Sequence, residues 1–201
     1  MPEAIKKTGF STDTANKFIV NAGAVYKNLN WAEPGGWTGE RLGATAGGNT
    51  VTIANEFREI EIDGTFSKYV GQKVLVSSDA TLTTNVKEID ADVIKLAIMG
   101  SITDSAGSDA PIGYDVITGK SKVEAEDYLG NIALVGELSG SDQPVIIILD
   151  NALCTSGLDL SMTDDSESVI AMTFEAHADA DQVADRTLPA RIYLPKISPE
   201  A

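Results

Sequence analysis

Hydrophobic and polar residues alternate along most of this chain, or gather in short apolar runs, and only one stretch has a helical spacing. The alternation is clearest at 170–179. There Ile170, Met172, Phe174, Ala176 and Ala178 share one parity, and Ala171, Thr173, Glu175, His177 and Asp179 share the other. Two apolar runs, 132–138 and 145–149, flank the sequence SGSDQP, whose Gly, Ser, Asp and Pro supply a tight connection. Residues 18–29 read as a first strand. NTVTIANEFREIEID reads as a long one in which Val51, Ile53 and Phe57 take one parity and Ile60 and Ile62 the other, predicting a bulge near Arg58 and Glu59. Residues 73–77 and 80–88 read as two strands separated by a Ser-Asp turn, and 114–118 as a short one. KSKVEAEDY is open between helix and loop. An Asp-rich loop then leads to LPARIYLP.

The helical stretch is 90–99, DADVIKLAIM. Asp90 is placed to cap its start and Gly100 to end it. Its side chains are apolar nearly all round except Asp92 and Lys95, so it should pack against a sheet. Residues 30–50 contain six glycines, one proline and both tryptophans, Trp31 and Trp37, and are expected to form a long interaction loop. Within that loop the tryptophans either fold back on their own domain or meet a partner, and the partner is the favoured reading because exposed indoles gain by being covered. Residues 1–17 are polar and read as an N-terminal arm, 18–195 as a single domain, and 196–201 as a C-terminal tail. Many short strands, one helix and long loops make a mainly β protein, a sandwich or barrel.

Composition narrows the class of function. At 201 residues and 21.2 kDa the chain suits one domain with a real core. Hydrophobic residues at 43% and charged residues at 22% are those of an ordinary soluble protein, and no apolar run approaches the length of a membrane span. The N-terminal sequence has no hydrophobic segment of a secretory signal, so none is expected. One cysteine, Cys154, fits a reducing compartment. The net charge of −15 weighs against nucleic-acid binding, which needs a basic stripe. It is compatible with a surface that DNA must pass without sticking, but taken alone the favoured reading is a protein that is acidic merely for solubility.

Candidate chemistry is sparse, and no enzyme, cofactor or metal site is expected. TGKS at 118–121 matches the end of a phosphate-binding loop, but the first glycine of that motif should fall at 114, which is Tyr114. His177, flanked by Glu175 and Asp179, is the only histidine and has no nucleophile-elbow sequence to serve. The acidic groups Asp164-Asp165-Ser166-Glu167 and Asp179 to Asp185 lack the glycine and terminal glutamate of a calcium loop and read as solvated loops. Cys154 sits among apolar residues and reads as an inert buried thiol.

The order of elements resembles the major tail protein of long-tailed bacteriophages, the tail-tube subunit. The segments that carry this resemblance are NTVTIANEFREIEIDGTFSKYVGQKVLVSSDATLTTNVKEID before the helix, YDVITGKSKVEAEDYLGNIALVGELSGSDQPVIIILDNALC after it, and VIAMTFEAHADADQ with LPARIYLP at the close. The resemblance implies a β-sandwich or barrel with one flanking helix that assembles into hexameric rings. The rings stack into a tube around a channel for DNA, in a virion tail built in the host cytoplasm. It also implies tape-measure, tail-terminator and baseplate proteins as partners, DNA passing without specific binding, and no membrane. The ring-stacking loop then holds Trp31, Pro34, Trp37, Glu40 and Arg41, and parity makes Glu56, Arg58 and Glu137 lumen candidates. Another virion subunit (a decoration, baseplate or terminator protein) and a carbohydrate-binding, adhesin-like β-sandwich remain as alternatives.

Overall fold

In a computed structural model, which describes residues 8–108, 110–164 and 167–197, the chain is mainly β. One layer runs in the order β2 (Gly36–Arg41), β1 (Ile19–Ala32), β7 (Leu129–Leu138), β8 (Val145–Cys154) and β10 (Ala190–Tyr193). The far end of β8 passes the chain of pairings to β9 (Ile170–Glu175), β4 (Lys73–Val86) and β3 (Thr45–Glu59), which form the second layer. All pairings in these layers are antiparallel. A separate ribbon joins β5 (Gly100–Asp104) to β6 (Asp115–Gly119). The first seven residues, 109, 165–166 and 198–201 lie outside the described residues, and with them part of the expected arm, tail and 164–167 acidic group.

The main core lies between the layers. Val25, Ile132 and Leu149 from one layer meet Leu82, Val86, Ile170, Met172 and Phe174 from the other, all buried. The alternation at 170–174 is therefore real: its apolar parity is buried, and Phe174 stands opposite Leu82 on β4 and Cys154 on β8. The left-handed Asn151 (φ 45°) lies between two parities in β8. Before it Ile147 and Leu149 face this core, and after it Ala152 and Cys154 do.

Helix α1 (Ala91–Ile98) starts as expected: the Asp90 carboxylate accepts the Val93 N–H at 2.7 Å. Its end differs from the expectation. The left-handed residue is Met99 (φ 50°), while Gly100 opens β5, where a Cβ would meet the Thr118 carbonyl at 2.8 Å. The glycine serves the close approach of β5 to β6. Val93 and Ala97 plug the helix into the main core.

Four expectations are corrected. Residues 30–50 are not a long loop. Their middle is β2, joined to β1 by a turn at 33–35, because strand pairing uses backbone N–H and C=O groups, which glycine carries like any other residue. Gly39 in particular lets β2 lie against Leu29, whose Cα and Cδ1 would be 3.0 Å from a Cβ there. Residues 73–77 and 80–88 are one strand, β4, with a register shift opposite Glu56 and Phe57 instead of a turn at Ser78 and Asp79. The bulge expected in β3 near Arg58 and Glu59 is absent: pairing is regular over 57–59, and the extra residue at the shift is Val76 on β4. The Asp-rich loop folds into a second short helix, α2 (Ala180–Asp185), held by a reciprocal cap between Asp179 and Gln182.

The last residues of the expected arm are tied to the body. Thr14–Lys17 form a 3-10 turn against the 138–141 connection. There the Ser139 hydroxyl donates to the Ala15 carbonyl at 2.6 Å and accepts the Phe18 N–H at 3.1 Å.

Candidate interaction surfaces

Two exposed features stand out from the acidic body. The first is the outer half of the β3–β4 hairpin. Val51 and Ala80 are the last of its residues to touch the core, and no residue from 52 to 79 is buried. Eight strand residues beyond Val51 carry it about 26 Å outward, at roughly 3.3 Å per residue. It is apolar nonetheless: Phe57, Ile62, Leu75 and Val76 are at least half exposed, and Phe66 and Val70 at its tip are fully exposed. Internal ties hold the tip in shape. The Tyr69 hydroxyl donates to the Ile60 carbonyl at 3.1 Å, and Glu59 takes both Lys68 (3.2 Å) and Lys73 (3.8 Å).

The second feature is a cleft of about 1100 Å³ on the outer face of the five-strand layer. On that face Leu29, Ala133, Ile146 and Ile148 form a smaller buried cluster, with Trp37 lying over it. Trp31 and Trp37 meet edge to face at 5.5 Å, and Trp37 meets Tyr193 at 5.1 Å. The cleft opens beside these rings, between the 141–144 connection and Ile192, Tyr193 and Leu194. Trp31, Ile192 and Leu194 are more than half exposed.

These positions separate the residues expected to act together. Trp31 and Trp37 are opposite each other in the β1–β2 pairing, and Pro34 is in the turn that joins their strands. Glu40 is turned to the neighbouring strand, where it holds the buried Lys27 ammonium at 2.7 Å, and Arg41 pairs across from Tyr26. Glu56 and Arg58 are exposed two residues apart on β3, with Glu56 accepting from the Ser77 hydroxyl at 3.2 Å. Glu137 belongs to the other layer, where it accepts from the Asn21 amide. Sequence reading missed the projecting hairpin. Its signal was available, since Ile53, Phe57, Ile60, Ile62, Phe66 and Val70 form one apolar series, but periodicity does not tell a core strand from one that leaves the core.

The remaining polar clusters have structural work. Asp150 accepts from Arg191 at 2.6 Å and from Gln182 at 3.1 Å, tying β8, β10 and α2 together, and it raises the Arg191 pKa. His177 donates its backbone N–H to the Asp150 carbonyl, and its ring lies edge-on to Tyr128 at 5.1 Å. Lys120 of the TGKS sequence is clasped by Glu126, by Glu124 at 3.0 Å and by Asp127 at 3.2 Å. Those carboxylates hold its pKa above the ordinary lysine value. Burial pushes the Cys154 thiol up, away from a thiolate. Among the described residues no three His, Cys, Asp or Glu side chains are arranged for a metal ion, and no helix is long and apolar enough to cross a membrane.

No protein-family model matches this chain, and no curated protein is similar to it in sequence. Among solved structures, one chain from "Virion of native gene transfer agent (GTA) particle" is similar over 79% of this chain and 92% of that chain, with 11% identity and a TM-score of 0.40. A likeness that distant carries no argument about activity or partners.

Proposed function

We propose that this chain is a structural virion protein, the repeating subunit of a phage tail tube, which works by self-assembly and performs no catalysis. In this reading hexameric rings stack into a tube that passes DNA and the tape-measure protein. Terminator and baseplate proteins close its ends, in a tail assembled in the host cytoplasm.

The observation that carries the reading is the projecting hairpin. A lone two-stranded ribbon is marginal in water, and it exposes both a free strand edge and a row of apolar side chains. Such a surface belongs against a partner. Copies of a β-rich chain that cover one another's ribbons remove those liabilities together, and the order of elements resembling tail-tube subunits supports the same conclusion. The net charge of −15 suits a wall that a phosphate backbone slides past, because an acidic surface offers no gain from counterion release.

Negative-stain microscopy of concentrated purified protein tests the reading. Rings or hollow tubes are expected. A chain that stays monomeric at millimolar concentration, and is missing from the tail of its virion, refutes it.

A further inference from the structure

Resting on that self-assembly reading, we propose that the aromatic cleft is the receptor for the hairpin tip of a second copy. Phe66 of one chain seats beside Trp31 and Trp37 of the next, against Ile192 and Leu194.

Four observations support this pairing. The shapes are reciprocal: one feature projects and the other is concave, with about 1100 Å³ of open volume. The two features cannot satisfy each other within one chain. The hairpin leaves from β3 and β4 at one end of the strand order, while the cleft lies on the outer face of the other layer, across the main core. The chemistry also matches. Phe66 is fully exposed, and Trp31 presents more than half its surface beside a Trp37 ring inclined at 61° to it, so an incoming ring meets both an aromatic face and an aliphatic wall.

Charge adds the fourth argument. A body of net charge −15 repels its copies, so contact is least costly where the surface is nearly neutral. The tip, 60–72, carries Glu61, Asp63 and Lys68, and the cleft carries Asp142 and Lys196. Lys196 at the cleft offers a cation to the carboxylates of the tip. The contact joins two different surfaces, so each added copy presents a new tip and a new cleft, and the rotation between copies sets whether the assembly closes into a ring or extends as a filament.

Sedimentation of Phe66→Ala, Trp31→Ala and Leu194→Asp, with circular dichroism to confirm that each is folded, tests the pairing. Each variant should weaken self-association at least about tenfold, the scale of losing an anchor side chain. Mixing Phe66→Ala, which keeps an intact cleft, with Trp31→Ala, which keeps an intact tip, should restore a single junction and give heterodimers without longer species. If wild-type protein associates and Phe66→Ala does not, yet Trp31→Ala and Leu194→Asp associate as wild type, the tip has another receptor and the proposal is overturned while self-assembly stands. If wild-type protein never associates, the proposed function falls as well. Binding of oligosaccharide by the monomer, lost in Trp31→Ala, would assign the cleft to a glycan and overturn the proposal.

Discussion

Trp37 on β2 and Tyr193 on β10 stand on the two edge strands of one five-strand layer, yet their ring centroids are 5.1 Å apart. The layer therefore bends enough for side chains from its two edge strands to touch above the cluster of Ile146 and Ile148. This bend turns a flat sheet face into a second, smaller core with an open aromatic cleft beside it. The residues expected to form a long interaction loop are instead one wall of that structure.

The main core should fail first at Phe174, which is fully buried between β4 and β8. Phe174→Ala should lower the unfolding free energy by about 3–5 kcal/mol, read from the denaturant midpoint at constant slope. Ala171→Ser, on the exposed parity of the same strand, should stay within about 0.5 kcal/mol of wild type.

Gly140 holds the N-terminal turn by having no side chain. A Cβ there would lie 2.4 Å from the Asn16 carbonyl oxygen and 2.6 Å from its Cβ. Gly140→Ala should detach Thr14–Lys17 and speed tryptic cleavage after Lys17. Gly9→Ala, where nothing lies within 4 Å, should leave cleavage unchanged.

The Lys120 cluster sets a pH window for the 120–127 turn. Asp127 is held below the usual carboxylate range, first by the Glu124 N–H and also by Lys120, and Glu126 is held low by Lys120. Their stabilisation is therefore complete above about pH 4 and lost as pH falls through their lowered values. Lys120 is raised, so its share is present below its ordinary value near 10.4 and lost at higher pH. The amide protection factors at 124–128, which divide out the intrinsic pH dependence of exchange, should be highest between those limits and fall on both sides. Asp127→Asn should flatten the acid side, and an unchanged acid limb would count against the cluster.

Trypsin should distinguish hairpin from loop. Lys68 lies in the projecting tip, whereas Arg41 lies in a paired strand. Cleavage after Lys68 should be fast in the free subunit and suppressed on assembly, with Arg41 resistant in both states. Faster cutting at Arg41 than at Lys68 in the monomer would contradict this assignment.

Under the tube reading, the channel wall should be acidic. Glu56 and Glu137 occupy different layers of the sandwich, so one of them at most is expected on that wall. Glu56→Lys and Glu137→Lys, made separately, should both leave tubes intact, and genome ejection should slow only in the variant whose residue faces the channel. Normal ejection by both variants, with either residue shown to face the channel, would remove the role of charge.

Much of this protein was legible in the sequence. The parity of Ile170, Met172 and Phe174, the SGSDQP connection and the Asp90 cap are local signals, because side-chain alternation, turn geometry and capping act over a few residues. The mainly β class follows from them. What only the tertiary structure decided is where each strand goes relative to the core. Ile53 and Phe57 have the pattern of core residues, yet β3 and β4 run past the end of the other layer and take them into solvent. Trp31 and Trp37 look like loop residues, yet strand pairing brings them into contact and sheet curvature carries Trp37 onto Tyr193, from a segment more than a hundred residues away. Periodicity records which side of a strand is apolar. Whether anything covers that side depends on long-range pairing, register shifts and curl, which no short window of sequence contains.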